Sequence, residues 1–249
     1  MLKNRFVNRL NRLRRSPLYC LRKKLRHWLG SDNSWLQKGR NEFPPGTWQW
    51  LALSEIHFGG ARTGESSREN MGGDRMSPVL CSTCHGYGEV YEKFLRPIVA
   101  KQSSSITLVE VGILNGTGLA IWCDLFPEAR VIGLDMDLSN FHLYRPNLEK
   151  AGAFQQNKPE VYGFNQLEAE SSADMLKKIL GNSKIHIVID DGCHSLESIE
   201  TTFSVMQPFL DKHFIYFIED NLETCDYMRD KNKEFKWRQF IEMSVVTRK

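Results

Sequence analysis

The stretch from Ile106 to Asp135 limits the possible folds more than any other. It reads Ile106-Thr-Leu-Val-Glu110-Val-Gly112-Ile-Leu-Asn115-Gly116-Thr117-Gly118, continues as Leu-Ala-Ile-Trp-Cys-Asp-Leu-Phe, and ends in Arg130-Val-Ile-Gly-Leu-Asp135. The first run is short, apolar and β-branched, the signature of a strand buried on both faces. A glycine-rich turn, an apolar-faced helix and a second short strand follow. Glycines let a backbone approach a ligand closely, and the start of a helix offers unpaired N–H groups to an anionic group. An acid at the tip of the second strand, about 20 residues past such a turn, is placed to bind ribose hydroxyls. Residues 106–135 therefore predict a nucleoside site on a parallel α/β sheet.

Two later strands end in paired acids. One is Ile185-His-Ile-Val-Ile-Asp190-Asp191-Gly-Cys-His194 and the other is Phe214-Ile-Tyr-Phe-Ile-Glu219-Asp220-Asn221. Ligands of parallel sheets bind outside the carboxyl ends of the strands, and neighbouring strands run only about 4.8 Å apart. If these two are neighbours, up to four carboxylates converge beside His194. A hard divalent cation such as Mg²⁺ relieves the repulsion, since it prefers carboxylate and water oxygens. Each residue also has a plainer role open to it. Glu110 and Asp135 could cap helices or pair with arginines. Asp190 and Asp191 could cap the helix that starts near Ser195, Glu219 and Asp220 could open a turn, and His194 could merely begin a helix. Cys193 reads as a small neighbour, and Trp122 and Phe126 read as core.

The glycine pattern sorts the cofactors. A triphosphate loop needs Gly-Lys-Ser/Thr, but Gly116 is followed by Thr117 and Gly118. A dinucleotide turn needs Gly-x-Gly-x-x-Gly, and the spacing from Gly112 to Gly116 to Gly118 is a poor match. An acid at the strand end, Glu110, followed by spaced glycines is the arrangement of S-adenosylmethionine enzymes.

With these pieces in place, the stretch from about His85 to Asn221 resembles the metal-dependent sugar O-methyltransferases that act on macrolide antibiotics, within the class I methyltransferases. The residues that carry the resemblance are His85-Gly-Tyr87 with Tyr91, Val109 to Thr117, Gly133-Leu-Asp135, Asp190-Asp-Gly-Cys-His194 and Ile218-Glu-Asp220. The resemblance implies that Asp191, Glu219 and Asp220 hold Mg²⁺ and that His194 is the general base. It implies S-adenosyl-L-methionine as cofactor, bound around Tyr87, Glu110, Gly112, Asn115, Gly116, Thr117, Asp135 and Asp190. An Asp-Gln step near the adenine is replaced here by Asn165-Gln166, which keeps hydrogen-bonding capacity but loses the charge. The implied reaction is methylation of a sugar hydroxyl, with Asp191 and His194 at the reacting centre. Two other classes use the same residues: a nicotinamide oxidoreductase on the same fold, and a non-enzymatic membrane adaptor with a degenerate domain.

The expected fold is a Rossmann-like, doubly wound, mostly parallel sheet at residues 85–224. Only Met243-Ser-Val-Val-Thr247 reads as a strand in the remaining 225–249, which is taken as a C-terminal tail, so the C-terminal edge of the sheet is expected to be abbreviated. The net charge of +3 divides into +10 for residues 1–30, which lack acids, and −7 for the rest. Leu2, Phe6, Leu10 and Leu13, then Leu18, Leu21, Leu25 and Trp28, fall at helical spacing on either side of Ser16-Pro17. This arm reads as two basic amphipathic helices that pack on the domain or lie on an anionic membrane surface; a transit peptide is a further option, and nucleic acid is not expected. Residues 31–84 form a linker, with a Gly-, Ser- and Arg-rich stretch from His57 to Arg75 that could act as a lid. Cys81-Ser-Thr-Cys84-His85 satisfies a haem-attachment pattern and half a zinc site, but an ordinary loop is the preferred reading. No apolar run reaches the ~18 residues of a membrane span, and six scattered cysteines fit a reducing compartment. A cytoplasmic enzyme is expected, its arm at the inner face of a membrane. The acceptor and the oligomeric state are not encoded legibly.

Overall fold

β-branched and aromatic runs with both faces buried can pair only inside a layered sheet, and the computed structural model of the chain contains one of seven strands. Described residues are 39–59, 74–78, 84–101 and 106–249. The chain divides into two compact units, Met1–Glu89 and Val90–Lys249.

The first unit contains helix α1 (Trp48–Gly59), in which Trp50, Leu51, Leu53 and Ile56 are buried. The buried Glu55 carboxylate accepts the N–H groups of Arg75 (3.1 Å) and Met76 (2.8 Å), so its charge is met by backbone donors. The basic arm of residues 1–30, most of the stretch from 57 to 75, and Cys81 lie outside the described residues. Cys84 is disulfide-bonded, whereas Cys123, Cys193 and Cys225 are free. The ordinary loop expected around Cys84 is thus cross-linked, and its sulfur cannot serve as a zinc-binding thiolate. Among the described residues no helix is long and apolar enough to cross a membrane.

Helix α2 (Gly88–Val99) leads into the second unit. There follow β1 (Thr107–Val111), α3 (Thr117–Leu125), β2 (Arg130–Asp135), α4 (Ser139–Lys150), β3 (Glu160–Gly163), α5 (Ala169–Leu180) and β4 (Ile185–Asp190). The chain ends through α6 (Leu196–Met206), β5 (Leu210–Ile218), α7 (Thr224–Arg229), β6 (Phe235–Phe240) and β7 (Met243–Arg248). Strand order is β3-β2-β1-β4-β5-β7-β6, and only β7 runs antiparallel to its neighbours. This is a Rossmann-like doubly wound α/β fold. The chain leaves β1 toward β2 and returns to β4 on the other side, so a crevice opens at the carboxyl ends of β1 and β4.

The two sheet faces have separate cores. Val109, Val111, Val188, Tyr216 and Ile218 pack with Leu176, Leu180, Ile199, Phe203 and Met206 of α5 and α6. On the other face Tyr91 of α2 lies 4.7 Å from the Phe217 ring and 5.1 Å from the Trp122 ring of α3. Trp122 and Phe126 are core residues, as their spacing predicts.

The C-terminal edge is not abbreviated. Residues 225–249, expected to be a tail, supply α7 and the hairpin β6–β7, which extends the sheet beyond β5. β6 is hard to see in sequence because Phe235-Lys-Trp-Arg-Gln-Phe240 alternates two buried aromatics with charged and polar residues. Such a pattern is a half-exposed edge strand rather than an apolar run.

Candidate active site

Gly112 ends β1 and starts the turn. Its φ of +81° suits glycine, and its N–H bonds Leu134 O at 2.8 Å. A Cβ here would fall 2.1 Å from Asp191 O, so the turn lies directly against the tip of β4. Gly116 precedes α3 as its N-cap, with φ +83° and no side-chain cap bond. Asn115 and Thr117 flank it, half-buried. Glu110 is buried beneath the turn, its carboxylate packed where a Cβ on Gly118 would come 2.1 Å from Oε1. A negative charge at a helix start is favoured by the helix dipole, so Glu110 braces the turn from below.

Asp135 ends β2 half-buried. Its Oδ2 accepts the Leu114 N–H at 3.0 Å and its Oδ1 the Asp137 N–H at 3.0 Å, which leaves each oxygen a further acceptor site for a hydroxyl. At the start of α4, whose N-cap is Leu138, the Ser139 N–H is accepted by Asp137 at 2.9 Å. Asp135 is therefore not spent on a helix cap, and it fits a ribose diol.

The β4 tip separates its two acids. Asp190 is buried, accepting from Gln166 Nε2 (2.9 Å) and Tyr216 OH (3.3 Å). Gln166 also donates to Thr202 Oγ1 (3.0 Å) and accepts the Cys193 N–H (2.8 Å). Both its donors are thus committed inside the protein. Asn165 closes its own turn, donating to Glu168 Oε1 and accepting Leu167 N–H. Gln166 and Asp190, expected at the cofactor, brace the β4 loop from within, where Gly192 has no Cβ to keep Gln166 away. Tyr87 is buried in the first unit, its ring 5.0 Å from that of His85.

Burial pushes the Asp190 carboxyl up to about 7, opposed by the bonds from Gln166, Tyr216 and the Gly192 N–H. Between the ordinary value of 3.8 and about 7 the folded protein holds a proton that the unfolded chain has released. Stability from this group is complete below about pH 4, falls as pH rises, and levels above about 7. Relative to Asp190→Asn, the wild type should lose on the order of 2 kcal/mol between pH 5 and 7 in urea unfolding. A difference between the two that does not change with pH would contradict this.

Asp191, by contrast, faces outward. Ser195 caps α6 through its own Oγ, which accepts Ser198 N–H at 3.1 Å, so Asp191 is not needed as a cap. One oxygen each from Asp191 and Asp220 lies 3.9 Å from His194 Nε2. Ligand atoms of all three residues lie within 4.8 Å of one another. At 3.9 Å neither contact is a hydrogen bond. Two carboxylates at this spacing, beside an imidazole, fit a hard divalent cation.

Glu219 is placed differently from its neighbours. It is buried, and its Oε1 accepts the Tyr91 hydroxyl. Its N–H bonds Asp190 O (2.9 Å), which seats it beside Asp191 at the ends of adjacent strands.

Among the described residues five non-glycines have positive φ, and Leu114, His194 and Asp220 are three of them. Such conformations persist where surrounding contacts over-determine them and collect at functional sites. His194 is held by Asn221, whose Nδ2 donates to His194 O at 2.8 Å. Asn221 Oδ1 accepts the N–H groups of Glu223 and Thr224, starting α7. Tyr91 and Asn221 stand in the recognised segments without an expected role. An Asn after an acidic pair signals an Asx turn, but its bond to His194 crosses between loops and leaves no trace in sequence.

No protein-family model matches the chain. The chain is similar to L-olivosyl-oleandolide 3-O-methyltransferase of Streptomyces antibioticus, 28% identical over 143 residues, covering 55% of this chain and 32% of that protein. It is also similar to 8-demethyl-8-alpha-L-rhamnosyl tetracenomycin-C 2'-O-methyltransferase of Streptomyces olivaceus, 27% identical over 145 residues, covering 55% and 33%. The chain thus spans about a third of the length of these curated relatives. The MycE methyltransferase from the mycinamycin biosynthetic pathway, solved with Mg and SAH, superposes with a TM-score of 0.49 at 17% identity, over 66% of this chain and 50% of its own. In its glycine turn and acidic strand tips the chain resembles the class I S-adenosylmethionine-dependent methyltransferases, and among them the metal-dependent macrolide sugar O-methyltransferases.

Proposed function

We propose that this chain is an S-adenosylmethionine-dependent O-methyltransferase that acts, with a divalent cation, on a sugar hydroxyl of a glycan, glycolipid or glycosylated small molecule. The observation that carries the reading is the contact of Gly112 with the main chain of Asp191, which sets the nucleoside turn directly against the Asp191–His194–Asp220 cluster. The activities for which both relatives are named, O-methylations of glycosylated molecules, favour the same chemistry.

When bound, S-adenosylmethionine supplies an electrophilic methyl group and Mg²⁺ supplies Lewis acidity that makes an alcohol easier to deprotonate. Asp135 holds the ribose hydroxyls, while Gly112, Asn115, Gly116 and Thr117 let the cofactor lie against the backbone. Asp191, Asp220 and Glu219 hold the cation. His194 Nε2 takes the proton of the acceptor hydroxyl, a task suited to imidazole near neutral pH. Asp191 and Asp220 balance the positive charge that the ring acquires. A vicinal diol suits the site, since one hydroxyl can anchor beside the reacting one.

Calorimetric titration tests this directly. Wild type and Asp191→Ala should both bind S-adenosylmethionine saturably, and only the wild type should bind Mg²⁺. Failure of a folded wild type to bind S-adenosylmethionine would overturn the reading.

A further inference from the structure

We propose that Tyr91 is a positioning residue for the cation, acting through Glu219. The inference rests on the reading above, in which Glu219 joins Asp191 and Asp220 as a ligand. Asp191, His194 and Asp220 already gather their ligand atoms within 4.8 Å, and Glu219 is not in that group. Strand register nevertheless seats it at the same level as Asp191, because Asp190 pairs with Ile218 and Asp190 O accepts the Glu219 N–H. One contact that holds its carboxylate lies at Oε1.

That contact is the Tyr91 hydroxyl, which donates to Oε1. Both residues are almost completely buried, at 0% and 1% exposure. The Tyr91 ring is wedged between Trp122 and Phe217. Glu219 follows directly on β5, two residues past Phe217, and its acid meets the ring's hydroxyl there. A fixed phenol on Oε1 sets the plane of the carboxylate and hence the direction of Oε2. Ligating carboxylates are characteristically held by such outer hydrogen bonds, and their loss costs about 10–100-fold in metal affinity. Tyr91 also lies on α2 rather than on either acidic tip, so it ties the cation site to a helix that carries none of the acidic ligands.

The test is Mn²⁺ titration followed by electron paramagnetic resonance, on wild type, Tyr91→Phe, Glu219→Gln and the double variant. Phenylalanine keeps the ring packing and removes only the donor. Tyr91→Phe should weaken Mn²⁺ binding by about 10–100-fold and leave S-adenosylmethionine affinity unchanged. In the Glu219→Gln background the same substitution should have no further effect on Mn²⁺. Unchanged or tighter Mn²⁺ binding by Tyr91→Phe overturns the inference while the metal site stands. So does a parallel loss of S-adenosylmethionine affinity, which would mark a general loss of structure, or an equal loss in both backgrounds. A wild type that binds no Mn²⁺ overturns both this inference and the metal-dependent reading.

Discussion

Alanine at position 112 is expected to destabilise the protein by about 3 kcal/mol, combining the cost of a left-handed alanine with that of an overlap that cannot relax. The φ of +81° is the smaller part. A Cβ would lie 2.1 Å from Asp191 O and 2.6 Å from Gly192 Cα, both main-chain atoms that no rotamer change can move aside. The segment cannot shift cheaply either, since Gly112 N–H is bonded to Leu134 O on one side and Asp191 N–H to Val111 O on the other. Relief must come from parting β1 and β4 at their carboxyl ends. Gly112→Ala should therefore lower the denaturant midpoint and also weaken divalent-cation binding, because Asp191 is displaced with its backbone. Unfolding curves and Mg²⁺ titrations matching those of the wild type would refute the close approach.

Loss of the imidazole at 194 should slow methyl transfer by about 10²–10⁴-fold, the usual contribution of a general base. Asparagine is the informative replacement. His194 sits at φ 59°, a conformation that asparagine tolerates better than alanine, and the backbone carbonyl that accepts from Asn221 is retained. The loop should keep its path, so that the rate change reports the base. Labelled methyl transfer to a glycoside acceptor measures it, with S-adenosylmethionine affinity expected to stay at the wild-type value. Turnover by His194→Asn within a fewfold of wild type would remove His194 from the proton transfer.

Much of the site can be read directly because its chemistry is local. The Gly112–Gly118 turn and the acids at 135, 191, 219 and 220 each stand at the end of an apolar strand, where periodicity changes abruptly. Side-chain direction is the part that sequence conceals. Asp190 and Asp191 are adjacent and chemically identical, yet alternation along β4 buries one against Gln166 and Tyr216 and turns the other to the crevice. Gln166 is drawn inward by the missing Cβ of Gly192, a contact between segments 26 residues apart in the sequence. β6 escapes notice because its two buried aromatics are interleaved with Lys236 and Arg238. Tyr91 lies on a helix far upstream of Glu219, and only the packing of α2 over β5 joins them.

The amide of Asn221 makes one rigid frame of two loops, since it bonds the His194 carbonyl and the start of α7 together. Asp191 and Asp220 are then spaced by the protein rather than by an ion bound as proposed. Ca²⁺ needs six to eight oxygens at about 2.3–2.6 Å and adapts to flexible surroundings, whereas Mg²⁺ demands a smaller, near-octahedral shell at about 2.0–2.1 Å. A frame that cannot widen sorts ions by radius, so a cation held there as proposed would be chosen by the stiffness of a neutral side chain that never touches it.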